Sequence, residues 1–75
     1  MIAQFYTDHD ILVRIFPPNN PDAIMDLPLN TSLFGYPIVS LRNADNSLRR
    51  CHLVRKSKWE KTDWGYEARV YFRQG

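Results

Sequence analysis

Hydrophobic positions along this chain gather into short runs bounded by turn residues, as β-strands do, with one clean period-two alternation near the end. Residues 2–6 (IAQFY) and 11–16 (ILVRIF) are short runs rich in β-branched and aromatic side chains. They are parted by Thr7, Asp8, His9 and Asp10, which suit a tight turn. The two runs read as a hairpin, and because apolar residues fall at odd and even positions alike, both of its faces are expected to be covered. Residues 38–42 predict a third strand, Asn43, Ala44, Asp45 and Asn46 a turn, and residues 47–59 a long fourth strand. The cleanest alternation follows a polar turn at 60–65. There Tyr66, Ala68, Val70 and Phe72 form a core face, while Glu67, Arg69, Tyr71 and Arg73 point the other way.

Prolines break the pattern in the middle of the chain. Pro17, Pro18 and Pro21 end the second strand, since proline has no N–H for a ladder and pushes its predecessor into extended geometry. Asn20 can then cap a helix of at most two turns near residues 21–27, with Pro21 at its first position and Pro28 as its stop. Residues 29–37 (LNTSLFGYP) carry turn chemistry at Asn30, Thr31, Ser32 and Gly35, yet Leu33, Phe34 and Tyr36 are too apolar for a free linker. They are expected to form a lid over the sheet, the other reading being an exposed apolar loop that meets a protein or a second copy. Together these elements predict a mainly β domain. Its form is a small five-stranded antiparallel barrel or rolled sheet, of SH3-like or OB-like size, with at most one short helix near residues 21–27.

Length and composition set limits on this fold. A 75-residue chain makes one domain with a small core, since a chain this short buries only about 60–65% of the surface its unfolded form exposes. Apolar residues at 44% and charged residues at 24% are those of a globular protein, not of a disordered one. Cys51 is the only cysteine, so no internal disulfide forms and a reducing compartment fits best. The N-terminal MIAQFYTDHD lacks a basic then apolar leader, and no apolar run approaches the length of a membrane span, so a cytoplasmic protein is expected.

Charge changes the picture more than composition does. Residues 1–41 hold Arg14 against four aspartates, a balance of −3, whereas residues 42–75 hold nine of the ten Lys and Arg against four acids, a balance of +5. The basic segment also contains Trp59, Trp64, Tyr66 and Tyr71. An anionic, ring-bearing partner such as RNA or DNA favours that mixture, with Lys and Arg neutralising phosphates and aromatic faces stacking bases. The expected contact residues are Arg49, Arg50, Arg55, Lys56, Lys58, Trp59, Lys61, Trp64, Arg69 and Arg73. The alternative partner is an acidic protein, gripped by the same surface or by the loop around Phe34, with the chain acting as an adaptor or inhibitor and existing as a monomer or homodimer. The plain reading is that these charges are a solvated surface and that the aromatic side chains are core.

Chemistry at a catalytic or metal site finds little support. Cys51 and His52 are neighbours and would point to opposite faces of a strand, and Asp8, His9 and Asp10 lack a further ligand at suitable spacing. No glycine-rich phosphate loop and no nucleophile with a supporting motif is present. A non-enzymatic binding domain without cofactor or metal is therefore expected.

Overall fold

In the computed structural model of this chain, residues 1–8 and 10–73 are described; His9 of the expected first turn lies outside them. The elements in order are β1 (Ile2–Tyr6), β2 (Leu12–Phe16), β3 (Met25–Pro28), α1 (Leu41–Arg50), β4 (Leu53–Arg55), β5 (Glu60–Lys61) and β6 (Gly65–Phe72). All strand pairs are antiparallel and the sheet runs β3-β2-β1-β6-β4, with β5 beside β4 on the same edge of β6. The domain is thus mainly β, a rolled half-barrel with one short helix, as the alternation predicts.

The helix lies elsewhere than expected. Residues 21–27 do not form one: Asn20 Oδ1 does accept from the Asp22 N–H at 3.0 Å, but no helix follows. A helix of two turns closed in by prolines is marginal on its own, and the free edge of β2 recruits Met25–Pro28 as β3 instead. The helix forms over Leu41–Arg50, where a strand end, a turn and a strand start are the sequence expectation. No β-branched residue occurs between Val39 and Val54, and Leu41, Ala44 and Leu48 recur at helical spacing. Ser40 caps the first turn by accepting from the Asn43 N–H at 3.0 Å, and Arg49 and Arg50 sit in the last turn, where the helix dipole favours cations. Only residues 53–55 of the predicted long fourth strand pair as β4.

Helix α1 packs across one face of the sheet. Beneath it lie Ala3 and Phe5 of β1, Val13 and Ile15 of β2, Leu27 of β3, Leu53 of β4 and Val70 of β6, closed by Ala44 and Leu48 of the helix. Tyr66 stacks on Phe5 with centroids 6.1 Å apart. The opposite face is not covered as the hairpin's pattern suggests: Ile2, Gln4, Tyr6, Leu12, Arg14 and Phe16 are half-buried among their own cross-strand neighbours. Phe72 is also more exposed than its core-face parity predicts, because β1 reaches only to Arg69 and leaves Phe72 with β4 alone beside it.

Between β4 and β5 the edge strand is bulged. It carries residues 56–59 between the pairs Arg55–Val70 and Glu60–Glu67, where β6 carries only Ala68 and Arg69. Ser57 substitutes for the missing ladder partner, its Oγ accepting from the Arg69 N–H at 2.9 Å.

Candidate binding surfaces

The strand order converts the charge asymmetry of the sequence into one of space. Residues 1–28 place Asp8, Asp10, Asp22 and Asp26 on the β1-β2-β3 side, with Arg14 paired to Asp26. On the other side β4, β5 and β6 and the bulge between β4 and β5 carry Arg55, Lys56, Lys58, Lys61 and Arg69; α1 crosses the sheet, and its Arg50 reaches β3. The ten expected contact residues do not, however, share one surface.

Lys56 and Lys58 stand on the bulge and Lys61 on β5, all exposed, with Arg69 exposed on β6. Arg50 turns back over the helix and donates to the Pro28 carbonyl and to Ser47 Oγ, both at 3.1 Å. Arg55 is committed internally. Its Nε and Nη2 donate to the two oxygens of Asp45 at 2.7 and 3.1 Å, and its Nη1 to the Ser57 carbonyl at 3.0 Å.

The two tryptophans pack in different places. Trp59 is half-buried, its ring edge-on to Phe5 and its Nε1 donating to Asp45 Oδ1 at 2.9 Å. Trp64 packs on Tyr6 with centroids 4.9 Å apart, in an open groove of about 260 Å³ shared with Asp8, Asp10, Leu12 and Arg14. An acidic groove is the wrong company for a base-stacking residue.

A larger groove, about 450 Å³, opens between the C-terminal half of α1 and the β4-β6 edge, bringing together Asp45, Leu48, Arg49, Leu53, Val54, Arg55, Tyr71 and Arg73. Arg49 and Arg73 make no ion pair among the described residues, whereas Arg55 is already paired.

The apolar loop is the largest departure from expectation. Residues 31–37 form a tight protruding turn: Thr31 bridges Pro37, and the Ser32 N–H donates to the Tyr36 carbonyl at 2.8 Å. Leu33 is fully exposed, Phe34 86% and Tyr36 72% exposed, so these side chains are not a lid. Leu27 and Leu29, before the turn, supply the cover, and Ile38, Val39 and Leu41 continue the apolar surface after it. The turn's stem is held firmly. Buried Asn43 accepts from the Asn30 N–H at 3.3 Å and donates to the Asn30 and Ile38 carbonyls at 3.0 and 2.8 Å, while Ser47 Oγ donates to the Pro28 carbonyl at 2.9 Å. Helix α1 therefore presents two polar rows. Asn43, Ser47 and Arg50 serve the stem, and Asp45 and Arg49, four apart on the other side, serve β4 and the larger groove.

Sequence reasoning missed Asn43 and Asp45 as organisers, reading both as turn residues. Their spacing from Ser47 and Arg49 was the available signal. Among the described residues no group of three His, Cys, Asp or Glu side chains is placed to hold a metal, and no helix is long and apolar enough to cross a membrane. The chain matches no protein-family model, no curated protein and no solved structure.

Proposed function

We propose that this chain is a non-enzymatic binding domain that acts by protein–protein contact, with Leu33, Phe34 and Tyr36 as the anchoring side chains. The observation that carries this reading is an exposed apolar tip on an immobilised stem. Aromatic anchors that fill a partner's pocket dominate interface energies, and a pre-ordered element loses less entropy on docking. Residues 27–41 contain no charge, whereas Arg42 follows at once on the first turn of α1. The partner that fits is a protein with an apolar recess and an acidic rim, which is the chemistry of an adaptor or inhibitor. The lone, half-buried Cys51 supports a reducing, cytoplasmic setting.

The test is affinity capture on the tagged domain against the double variant Leu33→Ser, Phe34→Ser. A protein recovered in stoichiometric amount by the parent, lost by the variant and weakened by Arg42→Glu supports the reading. Equal recovery by both discards the tip as the contact.

Nucleic acid is the second reading, favoured by Lys56, Lys58 and Lys61 standing exposed along the bulged edge beside Arg69. It is tested by fluorescence anisotropy with labelled RNA and DNA at about 50 and 200 mM salt, a range over which phosphate contacts lose much of their affinity. Salt-sensitive binding abolished by Lys56→Glu with Lys58→Glu supports it, and a flat signal at the lower salt removes it.

A further inference from the structure

We propose that the groove between α1 and the β4-β6 edge is a binding site for a nucleoside phosphate. This inference does not rest on the protein-contact reading, because the apolar turn is held by the opposite polar row of the helix.

The groove combines the three chemistries such a ligand needs. Its cation supply is Arg49, Arg55 and Arg73, against Asp45 as the acid. Asp45 is fully engaged: Oδ1 accepts from Arg55 Nε and Trp59 Nε1, and Oδ2 from Arg55 Nη2. The Asp45–Arg55 pair thus cancels within the wall, and Arg49 and Arg73, which pair with no acid among the described residues, set the field that a ligand meets. Planar guanidinium forks bind phosphate oxygens in pairs, which makes two arginines at one mouth a phosphate clamp.

The ring surface is Tyr71, 45% exposed, which lines the same groove beside the half-buried Val54, with the buried Leu48 and Leu53 behind them. A base or sugar face laid there meets the ring of Tyr71 and the side chain of Val54. The volume of about 450 Å³ falls among small-molecule sites, which run from about 300 to 1,000 Å³.

The framework is also pre-organised. Asp45 ties α1 to Arg55 of β4 and to Trp59, and the Arg73 N–H donates to the His52 carbonyl at 2.7 Å, which fixes the end of β6 beside the end of the helix. Arg49 and Arg73 thereby project from anchored backbone on two different elements.

Titration of the isotope-labelled protein with AMP, inorganic phosphate, adenosine and a tetranucleotide, followed by amide NMR, tests the site. AMP is expected to shift amides in residues 45–55 and 70–73 and to bind about tenfold or more tighter than phosphate or adenosine alone. Arg49→Gln with Arg73→Gln should cost about tenfold or more in AMP affinity. Tyr71→Leu should erase the preference of AMP over phosphate, and Tyr71→Phe should keep it. A tetranucleotide that binds more tightly than AMP with the same amides shifted supports the site and identifies its ligand as a strand. No shifts with any probe to about 10 mM, shifts confined to other residues, or an unchanged AMP affinity in the folded double-arginine variant overturns the proposal.

Discussion

Asn43 grips Asn30 at both of its backbone polar groups. The Asn43 Oδ1 accepts from the Asn30 N–H and its Nδ2 donates to the Asn30 carbonyl, so one buried side-chain amide does the work of a β-bridge between a helix and a loop. Replacing it with alanine removes these bonds and the one to the Ile38 carbonyl; the Asn30 carbonyl keeps the Ile38 N–H at 3.0 Å, but the Asn30 N–H and the Ile38 carbonyl lose the Asn43 amide. Asn43→Ala is expected to cost about 2–3 kcal/mol, or a fall in Tm of roughly 8–24 °C for a domain of this size. Urea denaturation checks it, and a loss below about 0.5 kcal/mol would mean that water replaces the amide without penalty.

Asp45 binds Arg55 and Trp59 together, at a site where both charged side chains are about a third exposed. Solvent at such a site screens the ion pair, so its loss is held to the cost of the hydrogen bonds. Asp45→Ala is expected to lower stability by about 1–2 kcal/mol, and to shift Trp59 emission to longer wavelength as the indole N–H turns to water. Unchanged emission would show that Phe5, not Asp45, positions the ring.

Gly65 has no room for a methyl group. A Cβ there would lie 1.9 Å from the carbonyl oxygen of Phe5, which is backbone and paired within the sheet, and the residue's φ is +156°. Gly65→Ala is expected to cost more than about 3 kcal/mol or to prevent folding. Gly35, at φ +83° with open space around it, pays only the backbone strain, so Gly35→Ala is expected to cost about 1 kcal/mol. Thermal melts of the two variants side by side separate steric exclusion from strain.

His52 follows the helix cap with φ +60°, the position and conformation usually given to glycine. His52→Gly is expected to raise stability by about 0.5–1 kcal/mol, and His52→Val to lower it. Equal midpoints for all three proteins would mean that the helix end relaxes without cost.

Leu33 and Phe34 touch little of their own fold. Leu33→Ser with Phe34→Ser is expected to change the unfolding free energy by less than about 0.5 kcal/mol while raising solubility, measurable as the onset of precipitation. A large loss of stability would return these side chains to a role inside the fold.

The fold was legible where one face of a strand is buried. The alternation read in β6 survives in the structure with Ala68 and Val70 on the helix side of the sheet, whereas β1 and β2 were legible as strands from their β-branched and aromatic content and bury one face only, through Ala3, Phe5, Val13 and Ile15. The helix itself was hard to read because its inward face mixes Ala44 and Leu48 with Asn43 and Ser47, polar residues spent on the carbonyls and N–H of residues 28–38. Local sequence marks Asn and Asp as turn formers, and only the tertiary partners of Asn43 reverse that reading. The apolar turn failed for a different reason. Composition says that Leu33, Phe34 and Tyr36 are hydrophobic, but the face of the sheet against which their stem is tied is already covered by the ten residues of helix, and the turn's side chains stay exposed. In the basic segment, charge was legible and commitment was not: Arg55 and Trp59 look like surface groups until Asp45 is placed beside them.

The exposed Asp22 and Asp26 beside β3 and the exposed Lys56, Lys58 and Lys61 along the β4-β5 edge give the domain a small electric dipole. A partner with a field of its own turns such a molecule during diffusion, before any contact forms, so that collisions begin with one end leading. Association should then slow as salt is raised, while dissociation, set by close contacts, changes little.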